Sequence, residues 1–513
     1  IKIKLLFYLF RSIKYVTTAT IHQQKSGFWH MPKAFYAVFF IEFWERFAFY
    51  GMQAVAVLFF IQKFGLKESQ ATDLFSSFSG LLYGFMLIGG LLGDKVLGLR
   101  RTYLLGILFL IIGYGSFAFT TDVTQLYWGM GVILVGNVFF KTNAGNFVNR
   151  CFKPNDPRLD SAFTYFYMSI NLGSFFSMII IPLVAARTSY GFAIGLCGAG
   201  MGVGLFSYFL LRKYFIENDN ETGKTGSSAK KSVYMVIVSV VGIVAAYYLG
   251  ALLRYPTLAK TLLFSVGAAT LILYFVVRSK QTLIAQRGML IALVLLFQSI
   301  FFWIMYMQMS TSLMLFAVHN VRTDVLGLVI PPAVTQSFNP FYIFLLSPIL
   351  AVWYVNSENK GKPISIPAKF ASGLFVCGLA YVLLAVTCSL HDEQGKVSMV
   401  WLFLGYGLYS LGELLISAIG LSMVSKLIPG RLGGFAQAIW FVTTAIGQKI
   451  GGILAGFATV DEAKVTSNLD ILHGYQTLFA YVGVIACALA ILFFFFVKPL
   501  TKAMHDLSQE QMV

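Results

Sequence analysis

Residues Ile41 to Met52 read IEFWERFAFYGM, two glutamates and an arginine inside an apolar run that begins at Ala34. At the α-helical rise of about 1.5 Å per residue, Glu42 lies roughly 12 Å into that run, near the middle of a bilayer's hydrocarbon core. A charge there costs about 2.5–3.5 kcal/mol on insertion scales, so it faces a protein interior or a water-filled path. Glu42, Glu45 and Arg46 fall at i, i+3 and i+4 and share one helix face. That face must point inward.

The rest of the chain has the same character. Its 513 residues are 58% hydrophobic and 12% charged, with a mean hydropathy of +0.76, against about 25% charged residues in soluble domains. About 20 mainly apolar residues cross a bilayer, and on that measure we expect fourteen spans between residues 34 and 497, the second at 76–93 and the ninth at 289–316. No long segment remains for a soluble catalytic domain.

The net charge of +17 would suit nucleic acid, but its distribution points elsewhere. Of the 38 lysines and arginines, Arg46, Lys141 and Lys449 fall inside spans, and Lys63, Lys67, Arg187, Arg254, Lys260, Arg322, Lys396 and Lys464 fall in loops on one side. All the others lie on the opposite side, the cytoplasmic one by the positive-inside rule. Both termini are expected there, and no nucleic-acid partner is. Residues 1–30 carry five basic residues and no acid, and read as a basic tail or surface helix. The five cysteines are scattered and offer neither a disulfide framework nor paired metal ligands. The six histidines pair with no nucleophile or second ligand. An enzyme, a metal and a cofactor are therefore not expected.

ENDNETGKTGSSAKK, Glu217 to Lys231, is polar, Gly/Ser-rich and without apolar periodicity, and reads as a linker. It follows six spans and precedes two, after which come six more. The expected division is a tail at 1–32, a six-helix bundle at 33–213, a linker and inserted two-helix hairpin at 214–286, a second bundle at 287–500 and a tail at 501–513. Paired halves are a common transporter plan. In the loop after the second span, GGLLGDKVLGLRRT, residues Gly90, Asp94, Lys95, Gly98, Arg100 and Arg101 resemble the loop motif of the major facilitator superfamily. The fold class is thus an all-α polytopic membrane protein of that superfamily with 14 transmembrane helices, six plus two inserted plus six. We expect the inserted pair to be peripheral.

Two more charges lie deep. Lys141 stands about fifteen residues into the fourth span, too far from either end to reach water. Glu413 has Tyr409 four residues before it and Ser417 four after, a polar stripe on an apolar helix. With Glu42, Glu45 and Arg46 these make three carboxylates against two cations, so one carboxylate is left over. A buried carboxylate without a partner is a ready proton acceptor. Lys449 could cancel the excess, but its place near a helix end suggests that it snorkels.

These residues resemble the proton-coupled oligopeptide transporter family. Glu42, Glu45, Arg46 and Phe47 match its first-helix Glu-x-x-Glu-Arg-Phe. FYMSINLGS, Phe166 to Ser174, matches its fifth-helix signature, and QSFNP at Gln336 and GELLIS at Gly412 also fit. The inserted pair and YMQMSTSL are most similar to the bacterial di- and tripeptide permease branch. The resemblance implies that Arg46 and Lys141 attract a peptide carboxylate. Glu413, Asn171 and Asn339 would hold the peptide amino group, with Ser417 on the same wall. Tyr50, Tyr83, Trp303, Trp440 and Phe441 would line side-chain pockets. Glu42 and Glu45 would couple proton movement to the first and fourth helices by exchanging partners with Arg46 and Lys141. A zwitterionic peptide suits a cavity with one cationic and one acidic wall, and at about 3.3–3.6 Å per residue a fixed separation of the walls favours two or three residues.

Three departures from the family pattern stand out. Phe49 precedes Tyr50 where many members have two tyrosines, Met307 stands before Gln308 where an acid is frequent, and Ala418 replaces a frequent proline. GAGMGVG, Gly198 to Gly204, is a helix-packing run rather than a dinucleotide loop. The implied function is a monomeric inner-membrane symporter that imports di- and tripeptides with protons. An exporter of the same superfamily, a carrier of nitrate or another non-peptide solute, and a non-transporting receptor remain open alternatives.

Overall fold

The computed structural model describes residues 27–86, 88, 92, 96–152, 156–216, 228–325, 327–458 and 467–510. The expected basic tail therefore lies almost wholly outside the described residues, as do Gly90, Asp94, Lys95 and most of the linker. The helices used below are α1 (Lys33–Phe64), α2 (Glu68–Gly84), α3 (Leu99–Phe119), α4 (Val123–Asn149), α5 (Leu159–Arg187) and α6 (Tyr190–Leu211). They continue with α7 (Ser228–Leu253), α8 (Pro256–Ser279), α9 (Leu283–Gln308), α10 (Ser312–Asn320) and α11 (Phe338–Asn359). The last four are α12 (Ile366–Thr387), α13 (Met399–Leu427), α14 (Gly433–Ala458) and α15 (Asn468–Glu510). Thirteen helical stretches among the described residues are long and apolar enough to cross a membrane.

α1 packs on α5 and α6, and α3 on α4 and α6; α12 packs on α13 and α15, and α11 on α13. Small residues permit the closest approaches. A Cβ on Gly200 would meet the Trp44 ring of α1 at 2.5 Å, and one on Gly198 would meet the Gly115 nitrogen of α3 at 2.8 Å. The Gly198–Gly204 run is therefore helix-packing surface, as its setting inside a helix implied.

Two expectations about the spans need correction. The second helix starts at Glu68, eight residues before the expected span, because Ser69, Gln70, Thr72, Asp73, Ser76 and Ser77 depress its apolar signal, while Thr72, Ser76 and Ser77 are buried and, with the partly buried Asp73, make polar contacts along the helix or to Lys449. The span expected at 289–316 lies within one apolar span, Leu283–Asn320, and what needs correction is its continuity: the helix is interrupted at Met309–Thr311 between α9 and α10. Side chains absorb the break. Gln308 Nε2 donates to the carbonyls of Ile304 (3.0 Å) and Gly451 (2.8 Å), Ser312 Oγ donates to Gln308 Oε1 at 2.7 Å, and Thr311 Oγ1 donates to Met307 O at 2.8 Å. An interrupted membrane helix is tolerated only when its freed groups are satisfied in this way.

The inserted pair is not merely peripheral. Much of its surface is exposed, but α7 lies against α4, and α8 lies against both α2 and α14. Leu263 of α8 fills the space that a Cβ on Gly80 of α2 would take, at 2.8 Å, and Ile446 of α14 stands 2.5 Å from a Cβ on Gly267 of α8. On the other side, a Cβ on Gly131 of α4 would lie 2.0 Å from the Ala246 carbonyl of α7. Backbone cannot yield as a side chain does, so Gly131→Val is expected to push α7 off α4 at a cost of about 1–3 kcal/mol. A lowered midpoint of thermal unfolding in detergent checks this.

The polar links between the first six and the last six helices gather on the side of the membrane opposite the termini. Gln53 Nε2 donates to Ser310 Oγ (2.8 Å), and Gln336 Nε2 to the Ala54 carbonyl (2.9 Å). Lys449 Nζ of α14 donates to Asp73 Oδ1 (2.6 Å) and Ser77 Oγ (2.7 Å) of α2. His319 Nε2 stands 2.5 Å from Glu68 Oε1. Lys449 is 0% exposed, so it does not snorkel. Its partner sits on a helix more than 370 residues earlier in the chain.

Candidate functional site

The first site element follows from helix periodicity. On α1, Arg46 Nε lies 3.1 Å from Glu42 Oε1, and the same guanidinium also pairs with Glu45. The three residues are 4%, 2% and 0% exposed for Arg46, Glu42 and Glu45. A Cβ on Gly173 of α5 would come within 2.4 Å of the Phe43 carbonyl and 3.0 Å of Arg46 Cβ, so glycine at that point lets α5 cross directly over the patch. One cation serves two carboxylates. Glu42 Oε2 and Glu45 Oε1 have no hydrogen-bond partner among the described residues, which leaves the patch one negative charge in excess.

Lys141, on α4, approaches the same place from another helix. Its Nζ is buried and hydrogen-bonds to no described residue. It lies 4.4 Å from the Phe49 ring centroid and 5.1 Å from that of Tyr83. The Arg46 guanidinium stands 5.8 Å from the same Phe49 ring. Phe49, where the resembled family often has tyrosine, thus offers its π face to two cations. Satisfying an ammonium with rings alone leaves all three N–H donors available to an anion.

Tyr83 also lines a cavity of about 180 Å³ between the two sets of helices. It is lined by Tyr50, Tyr83, Asn171, Trp303, Asn339, Glu413 and Ser417 of the expected residues. Glu413 Oε2 accepts from Asn339 Nδ2 at 2.6 Å, and the same amide donates to Ser410 Oγ at 3.0 Å. Among the described residues Glu413 has no ion-pair partner. α13 runs unbroken through Glu413 and on past Ala418, which also faces the cavity. Asn171, across from α11, turns its amide nitrogen to the Tyr167 carbonyl of its own helix at 2.9 Å.

Four expected residues do not line this cavity. Arg46 and Lys141 stand behind Tyr50, Tyr83 and Phe49. Trp440 is packed under Gly420 of α13, where a Cβ would touch its ring, and its own ring lies 6.1 Å from Trp303. Phe441 lies 6.4 Å from Tyr83, centroid to centroid. Conversely, Tyr167, Tyr306, Ser174 and Met178 line the cavity although the sequence did not single them out. Tyr306 follows Trp303 by one helical turn on the same face of α9 and lines the cavity together with Tyr50. Ser174 closes the FYMSINLGS stretch. Tyr306 could have been found by extending the Trp303 reading one turn along its helix face, and Tyr167 and Ser174 already lie within the quoted fifth-helix stretch. Of the loop motif, Gly98 begins α3 with a φ of 83°, and Arg100 donates to the Tyr208 hydroxyl of α6. Arg101 is partly buried beside it.

The arrangement therefore separates charges. The carboxylate-rich patch and the ammonium lie outside the cavity lining, the ammonium against Phe49 and Tyr83, whereas the carboxyl of Glu413, without an ion-pair partner among the described residues, lines the cavity.

Comparison with known proteins identifies the family. The sequence model of the POT family matches residues 100–470. The dipeptide and tripeptide permease A of Escherichia coli (strain K12) is 38% identical over 477 residues, covering 93% of this chain and 94% of that one. The protein of the same name from Edwardsiella piscicida is 39% identical over 467 residues, with 90% and 93% covered. Among solved structures, tetrameric PepTSo2 superposes with a TM-score of 0.79 at 34% identity, covering 92% of this chain and 99% of that one. The peptide transporter POT in complex with sulfate gives 0.81 at 29% identity, with 94% and 100% covered. Matched by the family's model over most of its length and by these relatives over nearly all of it, the chain belongs to the POT family.

Proposed function

We propose that this protein is a symporter that carries di- and tripeptides with protons into the cell across the inner membrane. Both termini would be cytoplasmic, and the site would be complete within one chain, so a monomer suffices even though a relative crystallises as a tetramer. No cofactor enters the cycle; protons are the coupling ion. The bundles at 33–213 and 287–500 would rock about the central cavity. With the termini cytoplasmic, the polar links of the seam would close the outer face and leave the site open to the inside.

One observation carries the reading: a glutamate with no ion-pair partner among the described residues lines a cavity, and a lysine ammonium with no hydrogen-bond partner lies against Tyr83, which lines the same cavity. Buried charges persist unpaired only where something else pairs with them, and a peptide zwitterion supplies both. Its carboxylate would meet Lys141 and Arg46, and its amino group Glu413, Asn339 and Asn171. Tyr50, Tyr83, Trp303, Tyr306 and Ser417 would surround the side chains, with Trp440 and Phe441 supporting them from behind. Glu42 and Glu45 compete for Arg46, so a proton on either changes which partners Arg46 and Lys141 hold.

The test is dialanine uptake by purified protein in liposomes, with and without an acid-outside gradient. Accumulation only with the gradient is expected. No uptake under either condition by folded protein would overturn the substrate assignment, and efflux driven by the same gradient would overturn the direction.

A further inference from the structure

The transport reading leaves one cavity of the second bundle unused. Where α15 ends, a space of about 500 Å³ lies between three segments far apart in sequence: the start of α9, the end of α13 with the loop after it, and the last turns of α15. Gly288 of α9 packs on α13 at this place, since a Cβ there would stand 2.7 Å from the Leu427 carbonyl. Ile284, Leu427, Met504 and Leu507 give the cavity an apolar wall. Lys426 and Arg431 line it as well, and both residues are exposed.

Basic residues at this end of the bundle follow from the positive-inside rule and by themselves mark only topology. The surroundings of these two go further. No carboxylate lines the cavity, and among the described residues neither cation has an ion-pair partner. Asp506 of α15 is exposed and stands outside the lining. Lys369 of α12 is close enough to Lys426 for the two like charges to act on each other, with Glu358 of α11 acting on Lys369 in the opposite sense. Arg431 donates from Nη2 to the neutral Gln281 Oε1 at 2.5 Å. That bond steadies the guanidinium and leaves its other donors for an anion.

A small anion in water would make no use of the apolar wall, and the wall continues onto a surface that faces lipid. Leu283 and Leu290 lie seven residues apart on one face of α9 and are 75% and 46% exposed. Both belong to the apolar span Leu283–Asn320. A ligand that fits is therefore anionic at one end and apolar along the rest. Anionic lipids of the cytoplasmic leaflet have this build and are drawn to basic groups beside a span, and a guanidinium can meet a phosphate through two parallel hydrogen bonds.

We propose that this cavity binds an anionic phospholipid of the cytoplasmic leaflet: Lys426 and Arg431 hold its phosphate, and an acyl chain lies over Ile284 and Leu427 toward Leu290. The bound lipid ties the α13–α14 loop to the ends of α9 and α15. The choice of leaflet rests on the orientation proposed above; the binding itself does not.

The test titrates the purified protein in dodecylmaltoside with phosphatidylglycerol, phosphatidylcholine or inorganic phosphate and follows the midpoint of thermal unfolding, which a ligand of the folded state raises. Phosphatidylglycerol is expected to raise it saturably, and the other two to leave it unchanged at the same concentrations. Lys426→Gln combined with Arg431→Gln should weaken phosphatidylglycerol about thirtyfold, the share of two basic contacts at a membrane surface. Lys360→Gln combined with Lys362→Gln removes two exposed cations of the turn between α11 and α12 and should leave its affinity at the wild-type value. Ile284→Glu sets a carboxylate on the apolar wall and should weaken the lipid as well, so the proposal stays testable if one variant fails to fold. An equal rise with phosphatidylcholine means a groove that ignores the headgroup, and an equal rise with inorganic phosphate means an anion site that needs no lipid. Equal weakening by the two lysine- and arginine-directed pairs means general surface attraction. Each of these overturns the proposal, as does wild-type affinity in Ile284→Glu or an unmoved wild-type midpoint with phosphatidylglycerol. No arm measures uptake, so a protein that binds the lipid and carries no peptide fails the transport reading alone.

Discussion

Glu45→Gln removes gradient-driven accumulation of dialanine while peptide exchange at equal pH remains measurable. Glu45 is 0% exposed and shares the Arg46 guanidinium with Glu42, which lies 3.1 Å from Arg46 Nε. With two carboxylates on one cation, the wild-type patch has a charge to lose, and a proton from the acidic side removes it. Glutamine leaves Arg46 and Glu42 as a balanced pair with nothing to titrate. Arg46 keeps its charge, so peptide binding survives, but the proton gradient no longer does work on the cycle. One proton per peptide and one pH unit of gradient support about tenfold accumulation. In the variant the inside-to-outside ratio should fall to about one, and its uptake should lose the rise with external acidity. Normal accumulation by Glu45→Gln would remove this coupling scheme and move the burden to Glu413.

Much of this site could be read from the sequence because its logic is local. The charges at Glu42, Glu45 and Arg46 sit at helical spacing within one segment, so their common face and its inward aim follow from periodicity and the cost of charge in lipid. Lys141 and Glu413 were conspicuous by depth alone. Pairing between distant segments is another matter. Nothing around Lys449 distinguishes a lysine that reaches toward the membrane surface from one held by Asp73, and nothing around His319 announces Glu68. Helix ends blurred for a related reason: the serines and threonines that hide the start of α2 from a hydropathy window are the groups that bond across or along it. The break after Gln308 is visible only as a cluster of polar residues whose bonds run to Gly451 on α14. Gly131 reads as an ordinary membrane glycine until the Ala246 carbonyl is seen against it.

Lys141→Met should separate stability from binding. In the wild type, the Lys141 ammonium is buried with no hydrogen-bond donor satisfied and only the Phe49 and Tyr83 rings for company. Such contacts return about 2 kcal/mol when desolvated, less than the several kcal/mol that burying an ion costs. Methionine fills similar space without a charge, so the midpoint of thermal unfolding is expected to stay level or rise. Affinity moves the other way. A hydrogen bond to a charged group is worth about 1.5–3 kcal/mol, which corresponds to roughly ten- to a hundredfold weaker binding of dialanine. The loss should be specific to the carboxylate: dialanine amide, which has none, should bind the variant about as well as it binds the wild type. An equal loss for both ligands would mean that Lys141 shapes the pocket without contacting the carboxylate. An unchanged affinity for dialanine would leave Arg46 as the sole cationic anchor, and the unpaired ammonium would then belong to the proton path of Glu42 and Glu45 alone.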